Sequence, residues 1–127
     1  MAQPDLVALV VRDMTAALQF YRLLGLDIPL GVEAEPHVEI TLPGGFRLAW
    51  DSLEMIKGIY PDWVEPHGQA LTLAFKCASA AELDSLYAQL IQSGYRSYKA
   101  PWDAFWGQRY AVVIDPDGNL VDLFATL

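Results

Sequence analysis

At 127 residues the chain has one domain's length, enough to bury roughly two-thirds of its unfolded surface without help from a disulfide or a metal. A hydrophobic share of 54% against 19% charged excludes a disordered chain, and no apolar run approaches the ~20 residues of a membrane span. The formal net charge of -8 excludes a nucleic-acid partner, which needs clustered Lys and Arg; it suits a cationic ligand, or simply keeps the protein soluble.

Leu6 to Val11 is a continuous apolar run and predicts a strand covered on both faces. Asp13 offers an N-cap, and Ala16, Ala17, Phe20, Leu23 and Leu24 recur at helical spacing up to Gly25, which predicts a helix over about 14–24. Residues Asp27 to Val32 read as a short strand, interrupted by Pro29 and Gly31 and so placed at an edge. Val38, Ile40 and Leu42 alternate with His37, Glu39 and Thr41, the period of a half-buried strand. Pro43-Gly44-Gly45 makes a turn, and Phe46 to Trp50 returns as the partner strand. Asp51 to Gly68 has no sustained period and reads as a connection.

The pattern then restarts. Gln69 to Cys77 predicts a strand, and Ser79 with Glu82 forms a capping box. Leu83, Leu86, Tyr87, Leu90 and Ile91 make a helix stripe that Gly94 closes. Tyr95 to Lys99 reads as a strand, the stretch around Pro101 and Trp102 as a loop, and Tyr110 to Ile114 as a strand. Asp115-Pro116-Asp117-Gly118-Asn119 is a turn leading into a last strand over Leu120 to Ala125. Both halves therefore read strand, helix, three strands: an α+β fold of two βαβββ modules, module one about 1–58 and module two about 68–127. Cys77 is the only cysteine, which excludes an internal disulfide, and its apolar setting gives it a packing role. The start lacks the basic-then-apolar layout of a signal peptide, so no membrane association and a cytoplasmic location are expected.

The repeated layout, with VVRDMTAALQFYRLLGLDI near the start and WGQRYAVVIDPDGNLVDLFA at the end, resembles the vicinal-oxygen-chelate superfamily of glyoxalases, bleomycin-resistance proteins and extradiol dioxygenases. The resemblance spans essentially the whole chain and implies two curved mixed sheets around a cleft. In its metal-dependent members four strand positions, commonly His or Glu, hold an ion that polarises or binds substrate oxygens. Matched onto this chain, those positions are Leu6, Ala49 (with Asp51 on the same strand face), Thr72 and Asp122. Leu and Ala cannot coordinate, Thr is a poor ligand, and one carboxylate does not hold a catalytic ion. His37 lies on a strand that does not normally supply a ligand, and His67 lies in the connection. No metal and no other cofactor is therefore expected.

Strand alternation places Leu6, Ala8 and Val10, then Ala70, Thr72, Ala74 and Lys76, toward the implied cleft. Aromatics gather outside the regular core: Tyr60 and Trp63 in the connection, then Trp102, Phe105 and Trp106 in one window. Such rings sandwich a planar ligand; they equally close sheet ends or form a dimer interface. Asp51 and Asp122 add charge that suits a cation, and Arg109 either meets a ligand or pairs with Asp122 or Asp103. The candidate ligand-binding set is thus Tyr60, Trp63, Trp102, Phe105, Trp106, Arg109, Asp122, Asp51 and Thr72, with no catalytic residue assigned. Resemblance to the bleomycin-resistance branch implies a homodimer that sequesters a planar or cationic drug or metabolite. Two alternatives stand beside it: a lyase, isomerase or dioxygenase with an atypical metal site or Asp122 as general base, and a structural dimer without a small ligand.

Overall fold

The computed structural model describes every residue except 67 and 69, so the expectation for His67 lies outside the described residues. The elements run β1 (Leu6–Val11), α1 (Met14–Leu23), β2 (His37–Thr41), β3 (Arg47–Ser52), α2 (Leu53–Ile59), β4 (Leu73–Lys76), α3 (Ala80–Gln92), β5 (Arg96–Ala104), β6 (Gln108–Ile114) and β7 (Leu120–Thr126). They fall into two compact units, Met1–Pro66 and His67–Leu127.

In the first unit the sheet order is β1-β3-β2, with β1 parallel and β2 antiparallel to β3. Asp13 starts α1 by accepting the Ala16 N–H at 3.0 Å, and Gly25 follows its end at φ +100, a conformation costly for any residue with a Cβ. Ala17, Leu18, Phe20 and Tyr21 on this helix have no solvent exposure. The Tyr21 ring lies 5.5 Å from that of Trp50, which shares its sheet face with Leu9 and Val38 beside it in register. Burying each large side chain in this layer contributes roughly 1.5–3 kcal/mol.

The second unit repeats the plan with four strands in the order β4-β7-β6-β5, where β4 and β7 are parallel and the other pairs antiparallel. Leu83 and Leu90 of α3 are fully buried, as are Ala111, Val113, Val121, Leu123 and Ala125 on the sheet. Ser79 caps α3 by accepting the Glu82 N–H at 3.1 Å. Glu82 reaches back one residue further than a standard capping box, to the Ala78 N–H at 2.9 Å. In the hairpin between β6 and β7, Asp115 accepts backbone N–H bonds from Asp117 (2.9 Å) and Asn119 (2.8 Å), which fixes the turn.

The expected α+β architecture stands, with four differences in detail. Asp27 to Val32 is not a strand: Gly31 has φ +80, and the carbonyls of Ile28 and Pro29 accept from the Arg22 guanidinium instead of a neighbouring strand. The first sheet therefore has three strands. The stretch expected to be plain connection begins with the end of β3 and then α2, which Ser52 caps by accepting the Met55 N–H at 3.2 Å. β4 is shorter than expected, Leu73–Lys76. Finally, β5 continues straight through Pro101 and Trp102. It pairs on one side only, where a missing N–H costs no ladder bond, and register shifts between Ser97 and Lys99 and between Lys99 and Trp102 absorb the irregularity.

Candidate functional site

Because side chains alternate along a strand, each sheet has a face turned away from its main helix, and the two faces are chemically unlike. In the first unit, register sets Leu6 beside Arg47, Ala8 beside Ala49 and Val10 beside Asp51, with His37, Glu39 and Thr41 across β3 from Asp51, Ala49 and Arg47. The polar members join into one chain. The Asp51 carboxylate is hydrogen-bonded to His37 Nδ1, and His37 Nε2 lies 3.0 Å from Glu39 Oε1. Arg47 Nη1 donates to Glu39 at 2.9 Å, while its Nη2 donates to Asp5. Carboxylates only accept, so both imidazole nitrogens are satisfied together when His37 is protonated. Asp51 first and Glu39 second accordingly raise the His37 pKa above the usual histidine value, against a smaller opposing effect of burial.

The face of the second sheet turned away from α3 carries rings. Tyr110 pairs with Phe124 across β6 and β7 and with Trp102 across β5 and β6, while Val112 pairs with Asp122. Ring centroids of Trp102 and Tyr110 are 5.5 Å apart, of Trp106 and Tyr110 5.5 Å, of Trp102 and Trp106 6.1 Å, and of Phe105 and Trp106 5.0 Å, all edge-to-face. Tyr110 also stacks on Phe124 at 6.4 Å. Edge-to-face pairs of this kind contribute ~0.5–1.5 kcal/mol each beyond area burial, so the cluster is a firm surface. Trp106 is held from outside by its indole N–H, which donates to Gln108 Oε1 at 2.8 Å, and Lys99 Nζ sits 3.9 Å from the Trp102 ring centroid. Within this group the Tyr110 hydroxyl donates to the Asp122 carboxylate. Burial and then that carboxylate push the Tyr110 pKa up to about 12, so the phenol stays protonated and remains a donor.

Of the nine candidates, the fold brings Trp102, Phe105, Trp106 and Asp122 together. Arg109 stands on the opposite side of β6, where its Nε donates to Asp84 on α3 at 2.8 Å and its Nη1 to Asp103 on β5 at 2.9 Å. Of the two partners expected for it, only Asp103 is found. Thr72 is exposed just ahead of β4, two residues before Ala74, which is in register with Asp122. Asp51 belongs to the first unit's charged face. Tyr60 and Trp63 also lie in the first unit, just past α2, with ring centroids 6.1 Å apart. The Trp63 indole N–H is buried without a hydrogen-bond partner among the described residues.

Sequence reasoning missed Tyr110, Lys99 and Gln108 as members of the ring group, and missed that His37 and Asp51 share a proton bond. A signal for Tyr110 existed. Counting outward from the Asp115–Asn119 turn sets Ile114 against Leu120, Val112 against Asp122 and Tyr110 against Phe124, so the tyrosine lands diagonal to Asp122.

The residues at the four matched positions do not fit a catalytic metal ion. Leu6 and Ala49 offer no side-chain donor atom, Thr72 offers a neutral hydroxyl, and Asp122 is a single carboxylate with one oxygen taken by Tyr110. His37 has both ring nitrogens bonded to carboxylates. Among the described residues no three His, Cys, Asp or Glu side chains are grouped to hold an ion.

The sequence model of the Glyoxalase/Bleomycin resistance protein/Dioxygenase superfamily matches residues 3–123, and the chain belongs to that superfamily. Among solved structures, it resembles a glyoxalase/bleomycin resistance protein/dioxygenase family enzyme from Burkholderia phytofirmans, with TM-score 0.83 and 21% identity over 99% of this chain and 100% of that one. A glyoxalase/bleomycin resistance protein/dioxygenase from Nocardioides gives TM-score 0.74 at 26% identity, over 100% and 85% of the two chains. A lactoylglutathione lyase from Agrobacterium tumefaciens gives 0.68 at 21%, over 98% and 94%. No curated protein matches the chain. No described helix is long and apolar enough to cross a membrane.

Proposed function

We propose that the chain is a metal-free small-molecule binding protein of the bleomycin-resistance type, which sequesters a planar or cationic drug or metabolite and acts as a homodimer. The observation that carries this reading is the group of Trp102, Trp106, Tyr110 and Phe124 on one sheet face beside the Asp122 carboxylate. Large flat side chains at fixed mutual angles present a preorganised stacking surface at small entropic cost. The lack of donors at Leu6 and Ala49 supports binding without an ion over metal-assisted chemistry. Asp122 speaks for binding as well. Its Oδ2 accepts from a phenol that stays protonated, which fixes the carboxylate beside the rings as a counter-charge.

A thermal-shift screen of the purified protein against planar and cationic antibiotics, with Zn, Ni, Mn and Fe in parallel, tests the proposal. A ligand at 100 times its Kd raises stability by about 2.7 kcal/mol through mass action. Stabilisation by at least one antibiotic and by none of the metals is the expected pattern. Stabilisation by a metal alone contradicts it. Sedimentation at micromolar concentration checks the dimer, and a monomer there removes that part of the proposal.

A further inference from the structure

The second unit already holds a cation against its rings. Lys99 lies on the edge strand β5, and its ammonium sits 3.9 Å from the Trp102 centroid, well inside the ~6 Å reach of a cation–π contact. Among the described residues no carboxylate forms an ion pair with it, although the chain carries 16 acidic residues against 8 basic ones. An ammonium 3.9 Å from the ring centroid shows that the Trp102 face accommodates a cation. On the neighbouring strands the Tyr110 hydroxyl donates a hydrogen bond to Asp122 Oδ2, while Oδ1 of the same carboxylate has no hydrogen-bond partner among the described residues. Rings with electron-rich faces and one half-satisfied carboxylate are the two parts from which sites for substituted ammonium groups are built.

Resting on the proposed function, we infer that the ring group selects a substituted ammonium ion, with Asp122 as its counter-charge, and that Lys99 holds the place the ligand's ammonium takes, so that binding displaces it. Two consequences separate this from planar stacking alone. A quaternary ammonium probe binds more tightly than its uncharged carbon isostere, and removing the Lys99 charge strengthens binding instead of weakening it.

The test titrates the full chain with phenyltrimethylammonium and with tert-butylbenzene, following the Trp102 and Trp106 indole N–H signals by NMR. The cation is expected to bind about tenfold more tightly than the isostere, the scale of a cation–π contact. Lys99→Met is expected to tighten the cation severalfold, and Asp122→Asn to weaken it by about tenfold. Lys99→Gln serves as a second, polar variant of the same exposed position. Equal binding of both probes with no effect of Lys99→Met overturns the inference and leaves the planar-ligand reading standing. If neither probe moves the two indole signals, the inference also falls. The planar-ligand reading falls with it only if uncharged planar antibiotics fail to move them too.

Discussion

The two units use one plan, a mixed sheet packed on a helix, yet the sheet faces turned away from those helices have opposite chemistry. The first unit closes its face with its own charges: Asp51, His37, Glu39, Arg47 and Asp5 are each engaged by a neighbour in the chain. The second fills its face with rings and leaves large apolar area in contact with water, Phe105 being 97% and Trp106 48% exposed. Polar groups that satisfy one another offer little to a ligand, because any new contact must first break an existing one. Exposed rings held at fixed angles by their neighbours offer binding energy without that cost. The proposed binding reading therefore rests on the ring face of the second unit, whereas the polar groups on the corresponding face of the first unit are already engaged with one another.

The largest effect that can break this contrast is on binding. Trp106→Ala removes the central exposed ring and is expected to lower ligand affinity by about 100-fold, in line with the 2 kcal/mol or more of an aromatic anchor. Stability is expected to fall by less, since the ring is half exposed. The matching Glu39→Gln change in the first unit is expected to leave affinity unaltered. Calorimetric titration of both variants decides, and equal losses erase the contrast between the faces.

Next in size is Tyr110→Phe. It leaves the Asp122 carboxylate without its phenol donor and is expected to cost about 1–3 kcal/mol in urea unfolding at neutral pH. Because the folded phenol titrates near 12 and an unfolded tyrosine near 10, the unfolded state ionises first. Stability from this group is intact below about pH 10 and is lost as pH rises toward 12. Alkaline absorbance titration should show one late phenol that the variant lacks; an unchanged profile assigns the late phase elsewhere.

The smallest effect concerns His37. Its pKa is raised in the folded state, so its contribution is full below the unfolded value near 6.5 and fades as pH rises through the higher folded value. The ring is more than a third exposed, so after solvent screening the change amounts to about 1 kcal/mol or less. An NMR titration of its ring protons should give a value above 6.5 that drops in Asp51→Asn. A value at or below 6.5 in the native chain breaks the proposed charge chain at its centre.

Much of the fold was legible in the sequence because its signals are local. Asp13 and Ser79 cap helices through neighbours three residues on, and the Asp115–Asn119 turn fixes its own hairpin. Where a long-range partner decided the outcome, local reading failed. Residues 27–32 carry alternating apolar side chains, but Arg22 claims their carbonyls, and Pro101 ends a helix or a central strand yet is harmless on the outer edge of β5. The site divides in the same way. The window holding Trp102, Phe105 and Trp106 stands out in the sequence as a concentration of rings. Tyr110 could have been placed by counting outward from the Asp115–Asn119 turn, whereas the joining of Lys99 to the cluster follows only from the pairing of β5 with β6 and its register shifts, which no local pattern encodes.

The proposal has the ring face of the second unit binding its ligand without an ion. Elemental analysis after exhaustive dialysis, joined to antibiotic titration with and without EDTA, tests it most directly. No stoichiometric transition metal and one affinity under both conditions are expected. A tightly retained metal together with loss of binding in EDTA would contradict it.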